Sequence, residues 1–426
     1  MGKLILFNIV QLRKNPFASL IKIILFFWVI NLGGCGERQI ITPTIQMNAE
    51  PQYWIRVLLF EDIENCTLKI PSGFNVINEE KNQQSDFSQI DAPINVKISQ
   101  GLIYIAASSF EGKQIIISPQ TPYVFNINGN NYRGNLKFII NSADNSFDVI
   151  NLVPVESYLA GVVGAEMPNY WEMAALKAQA VAARTYCLYI KRQYGNARHW
   201  DVRKTQASQV YAGIKAESAR VWQAVKKTNG QVLIAFNKLG TQDLFPAFYS
   251  STCGGHTENS QNVFGGDFFE PLAGVPCPYC KYVAKPKHFF WPMVTFNKND
   301  VSKKLLNKYP KLKVLGEIIY ISPAKLSNYK HFSRMTSIKL TGSTKKTGFV
   351  RAEDLRLTID PTGNKMKSSI CNISDDENNW VFLAGRGYGH GVGMCQCGAQ
   401  GMARKGKKAI QILTYYYPNS AIKTLY

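Results

Sequence analysis

The sequence predicts an α+β protein, with mixed β-rich regions around one central long helix. Three observations predict it. Short apolar runs broken by polar turns fill the first third of the described pattern, from Ile55 onward. One uninterrupted helical segment, rich in Ala, Leu, Lys, Gln and Arg, covers residues 171–194. Beyond it, short strand-like and helix-like runs alternate to the end of the 426-residue chain.

At the amino terminus, Arg13 and Lys14 precede a mostly apolar run from Leu20 to Ile30, and Leu32-Gly33-Gly34-Cys35 follows. A positive segment, a short apolar core and small residues before a cut site describe an export signal. The Leu-Gly-Gly-Cys ending resembles a bacterial lipobox, with Cys35 as the lipidated residue. An uncleaved anchor with an incidental Cys is the alternative, and both place the remaining chain outside the cytoplasm, anchored to a membrane. Residues 1–35 are thus expected as a lipoprotein signal and 36–50 as a tether.

Residues 51–150 form the expected N-terminal β-rich region, with strands at Ile55–Phe60, Leu102–Ala107, Gln114–Ser118 and Leu136–Ile140 and a polar surface loop over 78–92. Residues 151–283 are expected to form a core. In it, Asn169 is placed to cap the long helix, Gly195 to end it, and a second helix to cover 217–228. Residues 284–380 read as an inserted or second α/β subdomain with a helix over 298–308. Residues 381–426 hold a glycine-rich run and one or two helices that complete the core.

The bulk numbers narrow the function. Apolar residues make up 46% and charged residues 18%, an ordinary globular balance. The formal charge of +20 favours polyanionic partners. The basic residues are dispersed and no helix-turn-helix, zinc-finger or ribonucleoprotein signature is present, so nucleic acid is not the expected partner.

Three constellations carry chemistry. Glu166 lies between the apolar run 159–165 and Pro168. Burial there raises a carboxyl pKa, which suits a general acid; capping of the following helix is the alternative. Lys177, Arg184 and Lys191 recur at seven-residue spacing on that helix, a basic face suited to carboxylates or to water. In GRGYGHGVGMCQCGA (385–399), glycines alternate at 385, 387, 389, 391 and 393. An extended segment of this kind has one bare face and one carrying Arg386, Tyr388, His390, Val392 and Met394. The bare face suits a flat ligand or tight packing. Finally, Cys253-Gly-Gly-His256 and Cys277-Pro-Tyr-Cys280 fit a four-ligand structural zinc. A disulfide or free thiols fit as well, and Cys395 and Cys397 are replacement ligands. A Ser nucleophile elbow is absent.

Together YRGNLKF (132–138), NLVPVESYLAGVVGAEMP (151–168), EMAALKAQAVAARTY (172–186), SQVYAG (208–213), YSSTCGGHTENSQNVFGG (249–266) and the GRGYGHGVGMCQCGAQGMARKG and ILTYYYP runs (385–418) resemble the stage II sporulation protein D family, which includes amidase-enhancer-like proteins. The resemblance implies that family's fold and a lytic transglycosylase of peptidoglycan glycan strands, preferring strands stripped of stem peptides. It implies Glu166, in Glu-Met-Pro, as the catalytic residue, and Lys177, Arg184, Gln209, Tyr211 and His390 along the substrate groove; Tyr388 and Gln396, in the glycine-rich run around His390, are further substrate-binding candidates. No cofactor is required for that chemistry, and a cell-wall amidase is a possible partner. Two departures stand out. HWDVRKTQASQVY (199–211) lacks the Cys and His that some relatives carry before Gln-x-Tyr, and Cys395 and Cys397 occupy a stretch that often reads Met-Ser-Gln-Trp.

Overall fold

Alternating burial dictates how the first region folds. In Asn65–Lys69 every second residue is buried, and Ile94–Ser99 begins the same way; one face of such a strand must be covered. A computed structural model describes residues 50–141 and 145–426, together with Met47. The signal, lipobox and Cys35 readings therefore lie outside the described residues, as does nearly all of the 36–50 tether.

Two sheets share the cover. A seven-stranded sheet runs in the order Val202–Arg203, Trp54–Ile63, Phe147–Pro154, Asn135–Ile140, Gln114–Pro119, Phe74–Asn78 and Gln83–Phe87. A six-stranded sheet runs Asn130–Arg133, Val124–Ile127, Asn65–Lys69, Ile94–Ser99, Leu102–Ile105 and Ser108–Phe110. Val57, Ile115 and Phe138 of the first and Leu68, Val96 and Phe125 of the second are fully buried in one core. The polar stretch expected as a loop over 78–92 instead contains the strand Gln83–Phe87, paired antiparallel with Phe74–Asn78. Being at the sheet edge and mostly exposed, it shows no apolar period; backbone hydrogen bonds define it, with the Phe87 ring stacked on Phe74 at 5.0 Å.

The strand Phe147–Pro154 leads directly into helix α1 (Val155–Glu166). Helix α1 stops because Met167 precedes Pro168, which forces extended backbone: Met167 has φ −129° and ψ 142°. Helix α2 (Met173–Tyr194) follows. It starts at Met173 after Glu172, so Asn169 is not its cap. Ala175, Ala178, Ala180, Ala182 and Ala183 are buried, and small side chains let neighbours surround it. Helix α1, the strand Gln231–Phe236 and the helices Ala219–Lys226, Gln396–Arg404 and Ala409–Tyr416 all pack on α2.

Residues 291–382 contribute a second core, containing Trp291, Leu305, Ile338, Leu355, Trp380 and Phe382. It is built from the helix Lys298–Lys308, the long hairpin Ile318–Tyr329 and Phe332–Gly342, and the helix Ala352–Ile359. Among the described residues no helix is long and apolar enough to cross a membrane.

Candidate active site

Glu166 is the last residue of α1, so its side chain leaves the helix where the backbone turns away. It does not cap α2. Its Oε1 accepts the Val210 N–H at 2.9 Å, and its Oε2 accepts from Gln396 Nε2 at 3.3 Å. Burial raises its pKa above the usual carboxylate value, and these two donors only partly offset that.

The Val210 N–H is held in place from both sides. Gln209 is buried; its Oε1 accepts from Tyr158 Oη at 3.0 Å and its Nε2 donates to Tyr249 Oη at 2.9 Å. Tyr211 is buried and donates to Asn151 Oδ1 at 3.0 Å. Two glycines of α1 make room for this segment. A Cβ on Gly161 would sit 2.5 Å from the Tyr211 ring, and one on Gly164 would sit 1.9 Å from the Ala216 carbonyl oxygen. Gln209 and Tyr211 were expected along the groove; they lie behind it and present the backbone between them.

Glu166 opens on a cleft of about 620 Å³. Tyr388, His390 and Gln396 line it with Glu166, as expected. Lys177 is not on its wall, and Arg184 is fully buried elsewhere. The Arg184 Nε and Nη2 each donate to Glu156 at 2.7 Å, and Nη1 donates to the Gln231 carbonyl at 3.0 Å. Lys191 donates to the Trp54 carbonyl. Arg184 and Lys191 of the expected basic face are thus turned inward, because α2 is packed on most sides rather than on one.

The glycine-rich run also departs from expectation. Gly387, Gly389, Gly391 and Gly393 have φ of 83°, 96°, 76° and 68°. Alternate residues in that region wind the chain, so it is not an extended strand, and only Gly can adopt it without strain. Short bridges pin the winding: Tyr388 to Thr252 and Val392 to Glu258. His390 Nδ1 accepts the Val392 N–H at 3.0 Å, and burial pushes its pKa down to about 4, so the ring is neutral at pH 7.

Several lining residues were not singled out by the sequence, although Tyr186, Tyr249, Ser250 and Phe264 lie within the motifs 172–186 and 249–266. Tyr186, Phe248, Tyr249 and Phe264 add aromatic wall, and Ser250 Oγ is buried against the cleft with no partner among the described residues. Glu353 and Arg356 enter from the second core. Arg356 Nη2 and Nε donate to the two Glu353 oxygens at 2.6 and 2.9 Å. Burial would raise the Glu353 pKa, but Arg356 outweighs it and holds the carboxylate ionised. Only the fold brings this pair to the cleft, from almost 200 residues beyond Glu166 in sequence.

The cysteines cluster, with a different fourth member from the one expected. The Sγ atoms of Cys253, Cys277, Cys280 and Cys395 lie within 4.8 Å of one another. His256 is outside this group: its Nδ1 is 2.6 Å from the Thr257 carbonyl, and its ring stacks on Tyr329 at 4.2 Å. The positive-φ glycines after Cys253 turn the chain, carrying His256 away.

Residues 143–234 match the family model described as Stage II sporulation protein. An uncharacterized protein of Brachyspira hyodysenteriae (strain ATCC 49526 / WA1) is 34% identical over 296 residues, 69% of this chain and 72% of that protein. The amidase enhancer of Bacillus subtilis (strain 168) is 29% identical over 372 residues, 77% of this chain but only 49% of that protein. Stage II sporulation protein D of the same organism is 30% identical over 286 residues, 63% of this chain and 74% of that protein. The matched span of the family model carries Glu166, both helices that frame it and the Gln209–Tyr211 segment, and the chain belongs to the stage II sporulation protein D family.

Proposed function

We propose that this protein acts on the cell wall, as a lytic transglycosylase that cuts peptidoglycan glycan strands with Glu166 as its general acid and base. The observation that carries the reading is the contrast between the two carboxyls at the cleft. Glu353 is neutralised by a bidentate Arg356, whereas Glu166 has no ion-pair partner among the described residues and desolvation raises its pKa. Hydrolysis by the usual route needs two working carboxyls. One suffices when the nucleophile belongs to the substrate.

Glu166 would donate its proton to the glycosidic oxygen between N-acetylmuramic acid and N-acetylglucosamine. The bond from that oxygen to the muramic anomeric carbon breaks. The muramic 6-hydroxyl then attacks the same carbon, and its proton goes to the Glu166 carboxylate. The products are a 1,6-anhydromuramic end and a free 4-hydroxyl, and Glu166 is again protonated. Holding the 6-hydroxyl near its target supplies the advantage of an intramolecular reaction. Tyr388, Tyr249 and Phe248 give flat apolar faces for sugar rings, and Ser250 Oγ offers a hydrogen bond.

The second reading is a wall-binding protein that stimulates an amidase, favoured by the 29% identity to a protein named amidase enhancer. In either reading the protein works outside the cytoplasm, tethered through a lipid on Cys35. Mass spectrometry of peptide-free glycan after digestion separates the two. Anhydromuramic ends with wild type and none with Glu166→Gln support the enzyme; glycan binding without product by active, folded wild type supports the binder.

A further inference from the structure

We propose that Cys253, Cys277, Cys280 and Cys395 form a tetrathiolate zinc site that sets the position of the Glu166 cleft. All four residues are essentially buried, at 0%, 1%, 0% and 0% exposure. The Sγ atoms of Cys253 and Cys280 are 3.8 Å apart. A disulfide requires about 2.05 Å. Four sulfurs placed tetrahedrally about 2.3 Å from a zinc ion stand about 3.8 Å apart. The Cys253–Cys280 spacing is that of two ligands on one ion, and all four sulfurs lie within 4.8 Å of one another.

The four sulfurs come from three separated parts of the chain: the turn after the strand Tyr249–Ser250, the turn at 277–280, and the residue capping the helix Gln396–Arg404. Burying four unpaired thiols in one place gains little by itself, because a thiol is a weak hydrogen-bonding group. Hydrogen-bond donors stand around the sulfurs. The N–H groups of Cys253 and Gly398 point at Cys395 Sγ, at 3.3 and 3.4 Å, and Tyr416 Oη lies 3.1 Å from Cys277 Sγ. Such donors are the outer support that metal-bound sulfur uses. Zinc with four thiolates carries a charge of about −2. Two guanidiniums stand beside it: Arg334 donates to the Cys253 carbonyl at 2.9 Å, and Arg386 donates to the Gly254 carbonyl. An all-sulfur tetrahedral site selects zinc or iron, and zinc is the ion for a closed site without redox work.

The consequence for the cleft rests on the reading of Glu166 above. Cys395 is followed directly by Gln396, the donor to Glu166 Oε2, and Cys253 lies three residues after the unpartnered Ser250. The ion would clamp both walls to the helix that carries Gln396.

The full-length protein, purified under reducing conditions, should hold one equivalent of zinc by mass spectrometry. X-ray absorption should find four sulfurs at about 2.3 Å. Cobalt exchanged into the wild type should show the spectrum of a tetrahedral tetrathiolate, a readout that needs no variant to fold. His256→Ala and Cys397→Ser should keep the full equivalent; Cys277→Ser and Cys395→Ser should fall below half. Two disulfides with no metal, four free thiols with no metal, iron in place of zinc, or loss of metal in His256→Ala would each overturn the site. Removing zinc should lower glycan cleavage at least about tenfold in protein that remains folded by circular dichroism. Full cleavage without zinc overturns the link to the cleft. Absence of cleavage in zinc-loaded protein bears on the catalytic reading alone, because metal content and spectrum do not depend on it.

Discussion

At the scale of the residue, the cleft is a set of polar groups sorted by their partners. Glu166 is held by two neutral donors and half-buried at the end of α1, and desolvation raises its pKa, so it keeps its proton to higher pH than a surface carboxyl. A general acid of this kind loses activity as pH rises through its raised pKa. The alkaline limb of the pH profile of kcat/KM should therefore lie above the range of an ordinary carboxylate. Glu166→Gln should cut turnover at least about 100-fold while leaving the melting temperature within a few degrees. An unshifted limb, or an active Gln variant, would remove Glu166 from the chemistry. Ser250 makes the complementary case. Its hydroxyl is buried without a partner, so Ser250→Ala should not destabilise the protein, yet should weaken glycan binding by about 0.5–1.5 kcal/mol, read as a rise in KM with kcat little changed.

At the scale of the element, the 205–216 segment lies against α1 because α1 carries glycines where the two touch. Gly164→Ala places a methyl 1.9 Å from the Ala216 carbonyl oxygen. It should cost about 1–3 kcal/mol in urea unfolding and also move the Val210 N–H away from Glu166. Lowered turnover beyond the loss of stability would mark that second effect; a variant as stable and active as wild type would show that the segment is not packed so closely. Much of this element-scale design was legible. The helix 298–308 followed from its amphipathic period and the strand 114–118 from its continuous run of isoleucines, which is buried on both faces. The edge strand Gln83–Phe87 was not, because its pairing lies in backbone groups that carry no side-chain pattern.

At the scale of the whole molecule, Arg334 joins the two cores. It is fully buried, reaches from the hairpin of the second core to the Cys253 carbonyl at 2.9 Å and the His390 carbonyl at 3.3 Å, and stands 3.8 Å from Glu258. Arg334→Met would leave Glu258 buried without its cation. The expected loss is about 3–5 kcal/mol by denaturant titration, and a loss under 1 kcal/mol would show that the two cores are held together by other contacts. His390 adds a pH dependence. Its folded pKa is about 4 against the usual 6.5, chiefly from burial, with Arg356 and Arg334 adding to the depression and Glu353 opposing it. Unfolding therefore takes up a proton between those values. Stability from this residue is complete above pH 6.5 and falls as pH drops towards 4. The melting temperature should decline across that window, and less steeply in His390→Gln.

The sequence by itself determined the α+β class, the long helix α2, several of the strands and the family; it gave no sign of helix α1, which the structure shows ending at Glu166. The features it determined rest on local pattern, on Pro and Gly positions and on ordered motifs, all of which are written residue by residue. Only the tertiary structure decided which side chains reach the cleft. Spacing put Lys177, Arg184 and Lys191 on one face of α2, but a helix packed on most sides has no free face to offer, and Arg184 is spent on Glu156. Gln209 and Tyr211 were legible as important yet act through the backbone between them. Glu353, Arg356 and Ser250 come together with Glu166 through long-range packing. Likewise the turn after Cys253 sends His256 outward and brings Cys395 in. A side chain's direction depends on the packing of elements distant in sequence, and that packing has no local signal.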